Sequence, residues 1–485
     1  MGTGPVDVVV VGSGPNGLAA AVTLARAGLS VRAFEAAGSA GGGARTAELT
    51  LPGHWHDVCS AVHPMALASP FFRAFDLASK VPFVTPDISY AQVFDGDRSG
   101  IAYRDLERTA AELGGAAGAS WRRLFAPLLR DQDAVVDFTM KPLLRGARHP
   151  LAAAVFGSRV LTTARSVDGG LGTVGGGMLA GLAAHAIGPV SSFGARGTAL
   201  LLGMLAHAPG GWPIPIGGSQ AIVDALVADL VAHGGEVVTE TRIDSLRELP
   251  SAHAVLLDVT PRALERIGGD LLPSGYRAAL RGFRYGDAAS KVDFVLDGPV
   301  PWADGRLAAA GTLHLAGSAA EVQAGEREVA RGRHPEHPYV LVSQPDVADP
   351  GRAPAGHQTL WAYTHVPKGS GRDMTEAITA RIERFAPDFR DRIVASAAIP
   401  ASALQLYNAN YVDGDIAGGA ATFGQLVSRP VLSPTPWRTP LAGVYLCSAS
   451  TSPGPGVHGM AGWQAARAAL ADVFGITEAP LAVPR

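Results

Sequence analysis

The stretch from Val6 to Val11 constrains this chain most, because five of its six residues are valine. A near-continuous β-branched run of this kind suits a parallel strand buried on both faces. Directly after it come Gly12-Ser13-Gly14-Pro15-Asn16-Gly17 and the alanine-rich Leu18 to Ala27, with Gly28 at the expected helix end. The order is strand, turn, helix. Gly12 suits the tight turn, Gly14 lets the backbone approach a pyrophosphate, and Gly17 lets the helix lie close to the sheet. The helix N-terminus then faces the phosphates. A second strand, Ser30 to Phe34, ends at Glu35, the right spacing for a carboxylate to accept hydrogen bonds from ribose hydroxyls. No arginine follows to receive a 2′-phosphate. The same glycine pattern recurs at Gly170-Leu171-Gly172-Thr173-Val174-Gly175, but there the context rejects it. No apolar strand leads in, and no Asp or Glu occurs between Asp168 and Asp224.

With 485 residues, 47% of them hydrophobic, the chain is long enough for two or three domains. A formal net charge of −3 offers no basic surface for nucleic acid. Cys59 and Cys447 are the only cysteines, so neither a disulfide framework nor a dithiol centre is available, which predicts a cytoplasmic setting. No Lys or Arg precedes Val6, which predicts that no secretory leader is present.

NAD and FAD share the first motif, and three further segments favour FAD. Ala40-Gly41-Gly42-Gly43-Ala44-Arg45-Thr46 resembles the second glycine motif of the phytoene desaturase and flavin amine oxidase superfamily, with Gly43 where an arginine is commonest. Thr439 to Cys447 reads as a turn and a buried strand. It is followed by Ser448-Ala449-Ser450-Thr451-Ser452-Pro453-Gly454-Pro455-Gly456-Val457-His458-Gly459-Met460-Ala461-Gly462, which looks like the C-terminal flavin motif of phytoene-dehydrogenase-like proteins. Here Ser448-Ala449 replaces the usual Gly-Asp, leaving Ser448, Ser450 or Thr451 as neutral ribityl partners. Gln464 to Phe474 would be the closing helix. Trp212 to Gln220 resembles the return into the FAD domain, followed by the amphipathic Ala221 to Ala232 and strands at Val237 to Thr239 and Ala254 to Leu257.

The resemblance implies an α/β fold, a Rossmann-type FAD-binding domain (1–75, 212–285, 430–485) interleaved with a mixed α+β substrate domain (76–211, 286–429). It implies non-covalent FAD held by Gly12, Gly14, Pro15, Asn16, Gly17, Glu35, Gly42, Gly43, Arg45, Thr46, Ser448, Ala449, Gly456, Val457 and His458. The implied activity is dehydrogenation of an apolar substrate, isoprenoid or carotenoid-like, by hydride transfer to flavin N5, with dioxygen, a quinone or another electron acceptor. An amine oxidase-like enzyme and a catalytically silent FAD-binding scaffold are the alternatives, and an NAD-dependent dehydrogenase would leave both flavin motifs without purpose.

Between Gly169 and Val223 the only charged side chain is Arg196. A substrate cavity, an ordinary core, and a surface docking to a membrane or a second subunit all fit such a stretch. Ser290 to Asp297 alternates like a strand, and its Lys291 is similar to the flavin amine oxidase lysine that holds a water beside N5. That resemblance makes Lys291 a catalytic candidate, joined by His63 and His458 for proton transfer. His54, His56 and His63 lie close in sequence, but no cysteine or carboxylate cluster completes a metal site.

Overall fold

The computed structural model of the chain describes residues 5–96, 98–165, 170–478 and 480–481. Asp168 and the extreme ends of the expected FAD-binding unit lie outside the described residues. The valine run forms the central strand, Val6–Val11, of a five-stranded parallel sheet. Across the sheet the order is Val444–Leu446, Ala252–Leu257, Val6–Val11, Val31–Phe34, Glu236–Val238. Val8 and Val10 pack into a core with the helices Pro15–Ala25 and Met460–Val473, while Val9 and Val11 join a second core on the opposite face. Burial on both faces is what selects the β-branched run from Val8 to Val11.

Val6–Val11 and Ala252–Leu257 lie side by side at the centre, the point at which strand order reverses and nucleotides bind beyond the carboxyl ends. Gly12, Glu35, Asp258 and Cys447 each follow the last residue of a strand, so all lie at this one edge. An N-terminal Rossmann-like nucleotide-binding region is therefore joined to a larger mixed α/β part.

That second part is built on a seven-stranded sheet, ordered Ile393–Ile399, Ala288–Leu296, Gln358–Val366, Val340–Ser343, Thr312–Leu315, Ile88–Phe94, Arg98–Tyr103. Pairing is antiparallel except where Thr312–Leu315 meets Ile88–Phe94. One face packs on the helix Thr375–Glu383, through Val292, Phe294, Leu313 and Val342. The other, bearing Leu341, Trp361 and Tyr363, meets the helix Gly172–Ala184. The chain leaves the parallel sheet after Phe34, returns at Glu236, leaves again after Leu257 and returns at Val444, so the two parts are interleaved.

The apolar stretch after residue 169 forms the buried helices Gly172–Ala184 and Phe193–Ala206. Glycine here is a packing device: a methyl group at Gly177 would strike Phe94, one at Gly203 would strike Phe125. Core packing is thus what these helices do; His185, Ile187, Leu202 and Trp212 carry the stretch to the wall of the cavity between the two sheets, and His207, Ala208 and Pro209 line a separate pocket. Among the described residues no helix is long and apolar enough to cross a membrane. The closing helix begins at Met460, four residues before the expected Gln464, because Gly459 takes a left-handed φ of 67° and turns the chain in early. It lies so close to the first helix that any side chain at Gly462 would meet the Asn16 carbonyl.

Where the two parts join, Asp57 is wholly buried and accepts hydrogen bonds from Thr46 Oγ1 (2.6 Å), the Ser219 amide (2.8 Å) and Arg352 Nη1 (2.9 Å). Burial alone would lift its carboxyl, but the Arg352 guanidinium, the Thr46 hydroxyl and the Ser219 amide outweigh it and hold the group below its ordinary value. Arg352 also binds Asp349 (2.7 Å) and the Pro215 carbonyl (3.3 Å). Removing one partner strands a buried charge, which costs about 3–5 kcal/mol. Arg352→Met is therefore expected to lower the unfolding free energy by about that much in urea titrations, and Asp57→Asn on the same background to recover part of it. A wild-type midpoint in Arg352→Met would show that the junction is held elsewhere.

Candidate functional site

A cavity of about 800 Å³ opens at the carboxyl edge of the parallel sheet and runs to the face of the seven-stranded sheet. At its first end the turn after Val11 is crowded: Gly12 adopts φ 94°, and a side chain there would strike the Asp258 carbonyl. The second glycine segment packs directly on the first. Gly41 N–H donates to Ser13 O (3.0 Å), and a methyl group at Gly42 would lie 3.0 Å from Gly14 Cα. Glu35 lines the same end and accepts from Ser13 N–H (2.9 Å), Ser13 Oγ (2.7 Å) and Ala37 N–H (2.9 Å). Arg45 Nη2 lies 3.6 Å from Glu35 and its guanidinium covers the Tyr407 ring at 5.0 Å. Arg45 Nε and Asn16 Oδ1 are buried without a partner, although both residues line the cavity.

Asp258 is the main residue the sequence reading missed. Its Oδ2 accepts the Gly17 N–H (2.9 Å), so the protein's own carboxylate takes one of the helix amides expected to face phosphates. Burial pushes this carboxyl up to about 7, Glu35 adds to the rise, and the Gly17 N–H opposes it. The same oxygen lies 2.8 Å from where a Gly14 side chain would begin, so Gly14 is required by the protein itself. Gly17 lies behind the wall, where a side chain would meet Gly12 O.

Gly12, Gly14, Pro15, Asn16, Glu35, Gly42, Gly43, Arg45, Ser448, Ala449, Gly456 and Val457 all line this cavity, whereas Gly17, Thr46 and His458 do not. Thr46 donates to Asp57 and accepts from the Gln220 amide (3.1 Å), which makes it part of the junction. The absence of an arginine at Gly43 has a direct cause: the Tyr411 hydroxyl fills the space a side chain would need, with Cys59 behind it. Among the neutral candidates at the strand end, Ser448 and Ser450 both line the cavity and Thr451 does not; Ser450 donates to Gly418 O (2.8 Å) and Thr451 to Ser448 O (2.8 Å), while Ser448 Oγ accepts the Ser450 N–H (3.2 Å) and keeps its own proton to offer. Arg429, also unforeseen, ties the loop at Ala417–Gly419 to Ala449 through carbonyl contacts of 2.9–3.4 Å.

None of the three catalytic candidates reaches the wall. Lys291 Nζ contacts both Asp293 oxygens (2.7 Å each) and Asp57 O (2.8 Å), so its three donors are engaged inside the protein. The alternation that marked it as inward-facing also places Asp293, two residues on, on the same sheet face. Burial pulls the Lys291 ammonium below its ordinary range against the opposing pull of Asp293, and the charge sits 5.5 Å from the Trp361 ring. His63 contacts Ser219 Oγ (2.8 Å) and Ser60 Oγ (3.3 Å), and His458 Nδ1 accepts the Met460 N–H (3.0 Å). Burial pushes each imidazole down to about 4. His54 turns to His357 (2.8 Å) and His56 to Thr50 (2.8 Å), so the histidines grouped in sequence diverge in space.

A 68-residue segment, residues 10–77, matches the NAD(P)-binding Rossmann-like domain family. The chain is 24% identical to pyridine nucleotide-disulfide oxidoreductase domain-containing protein 2 of Rattus norvegicus, covering 96% of this chain and 94% of that one. Among solved structures it is similar to putrescine oxidase bound to putrescine (17% identity, TM-score 0.60, covering 97% and 99% of the two chains). It is also similar to cyclohexylamine oxidase from Brevibacterium oxydans (14%, TM-score 0.56, 96% and 98%). The chain has the fold of FAD-dependent oxidoreductases of the amine oxidase type. Two of these three proteins oxidise amines by name, and none points to a carotenoid.

Because Lys291 is an ion-paired interior residue, Lys291→Met leaves the buried Asp293 with only His56 Nδ1 at 3.4 Å and is expected to cost about 3–5 kcal/mol of stability. Thermal or urea unfolding checks this; a fully stable variant with slowed flavin reduction would instead return Lys291 to the chemistry.

Proposed function

We propose that the protein is an FAD-dependent oxidoreductase that dehydrogenates a small apolar substrate. The observation that carries this reading is convergence: both glycine segments, Glu35 and the strand end at Ser448 line one cavity whose far wall is aromatic and apolar. The residues present fit FAD. Gly12 and Gly14 leave backbone exposed for the pyrophosphate, with Arg45 Nε and Asn16 Oδ1 as unpartnered groups beside it. Glu35 would receive the ribose, Ser448 the ribityl chain, and Gly456 and Val457 would flank the ring. FAD bound there would supply the two-electron chemistry, taking hydride at N5 and passing electrons to dioxygen, a quinone or another acceptor.

The chain's own residues set the surroundings. Tyr363, Trp361, Leu341 and Trp212 exclude water from the far end, and Lys291 holds a positive charge one layer behind Trp361. A cavity of about 800 Å³ is near the top of the range for one drug-sized ligand, roughly 300–1,000 Å³. With a dinucleotide inside, the remaining space favours a small substrate over a long polyene. The likeness to amine oxidases supports the same choice. The substitution at Gly43 is no mark of a silent scaffold, since Tyr411 accounts for it sterically.

The purified protein is expected to carry yellow FAD that acid releases. Glu35→Gln is expected to weaken FAD binding by about 1–2 kcal/mol, as charge-assisted hydrogen bonds become neutral ones. Fluorescence titration of the apoprotein reads this, and equal affinities would place the ribose elsewhere. A second expectation follows from Asp258. Its carboxyl, pushed up to about 7, is neutral below that pH and negative above it, beside the site for an anionic pyrophosphate. FAD affinity should therefore fall as pH rises through about 7, and Asp258→Asn should flatten the profile. A wild-type profile already flat through that region would remove Asp258 from the cofactor site.

A further inference from the structure

Three neighbouring strands place Thr312, Ser343 and Trp361 in one cross-strand row, Thr312 opposite Ser343 and Ser343 opposite Trp361. Residues directly opposite point to the same face, with Cβ atoms roughly 4.5–5.5 Å apart. All three line the cavity, at 2%, 1% and 6% exposure, and Thr312 Oγ1, Ser343 Oγ and Trp361 Nε1 each lack a hydrogen-bond partner. An unpaired buried polar group is costly, and three in a row on an uncharged wall are an arrangement that a bound group would satisfy. The row holds three donors. The two hydroxyls can also accept, whereas indole can only donate, so the matching group must contain an acceptor.

The charge around this end decides the rest. Among the described residues, the carboxylates and guanidinium groups on the cavity wall are Glu35, Arg45, Arg242, Asp258 and Arg266, all from segments of the parallel-sheet part. His185, on the wall beside Trp212, contacts His314 through the two Nε2 atoms (3.0 Å), and burial pushes it down to about 3, so it is neutral. Asp293, the carboxylate in register with Trp361, is already paired with Lys291. A buried ammonium would find no free carboxylate on this wall, since Asp293 is held by Lys291 and His56. A buried carboxylate would find no free cation, because Lys291 is engaged.

We propose that Thr312, Ser343 and Trp361 form a substrate subsite that grips an uncharged oxygen acceptor, a carbonyl, amide or hydroxyl group, carried by an otherwise apolar substrate. The inference rests on the flavin reading only for the word substrate; the ligand chemistry follows from the row itself.

Octanamide, octylammonium and octanoate each have eight carbons: the first offers a neutral oxygen acceptor, the second a cation with no acceptor, the third an anionic acceptor. Calorimetric titration into the FAD-loaded protein is expected to show octanamide binding at least about tenfold tighter than either ion. The double variant Thr312→Val with Ser343→Ala should lose roughly ten- to a hundredfold of octanamide affinity, while FAD content stays at the wild-type value and the melting temperature does not fall. Equal or tighter binding of either ion, absence of octanamide binding, or unchanged affinity in a folded double variant would each overturn the subsite. FAD content is read separately from the absorbance of the same samples. A colourless protein that still prefers octanamide would sink the flavin reading and leave the subsite standing.

Discussion

The buried pair of Asp57 and Arg352 holds together what the chain order separates. Thr46 reaches Asp57 from the second glycine segment, the Ser219 amide from the return into the parallel sheet, and Arg352 from the far part of the molecule. Through its carbonyl, Asp57 also receives Lys291 from the centre of the seven-stranded sheet. Three groups therefore meet at one carboxylate, whose desolvation is offset only while they are all present, and a fourth meets the carbonyl of the same residue. The cavity lies between the two sheets, so its shape depends on this knot even though Asp57 and Arg352 do not line it.

How far the site was legible depended on whether its cause was local. The valine run, the glycine turn and Glu35 could be read because burial, φ and strand-end spacing are properties of a few adjacent residues. The order of the parallel sheet then follows from the nucleotide unit, and Glu35 and Ser448 arrive at its carboxyl edge. What could not be read were partners brought from afar. Tyr411 explains Gly43 from across 368 positions, and Asp258 caps Gly17 from 241 positions away. Lys291 shows the limit within one strand: alternation revealed its inward direction, yet Asp293 on the same face turned a candidate for the chemistry into half of an ion pair. A signal was present there, since two opposite charges at i and i+2 in a buried strand face the same way.

The electrostatics of the cavity run from charged to neutral along its length. The nucleotide end carries Glu35, Arg45 and Asp258, groups suited to ribose and phosphates. Beyond Cys59 and Tyr411 the wall becomes Trp361, Tyr363, Leu341 and Trp212, and the imidazoles near it are held neutral by burial. An imidazolium at neutral pH is therefore unavailable from His63, His185 or His458. A reaction that moves a hydride needs no protein acid at the moment of C–H cleavage, so a dry and neutral wall suits it better than a proton relay would.

Cys59 tests the same logic from another side. It lines the cavity beside Gly43 and Tyr411, and a thiol on a cofactor cavity invites the question of a covalent link. Burial raises its thiol, and although the Tyr411 hydrogen bond and the Lys291 charge pull the other way, the net direction is upward. The thiolate, not the thiol, is the nucleophile, so a raised thiol is a poor one. Lys291, which could have stabilised the thiolate, is committed to Asp293. Burial thus leaves Cys59 protonated while the ion pair keeps Lys291 inside the protein, and both favour a cofactor held by shape and hydrogen bonds alone.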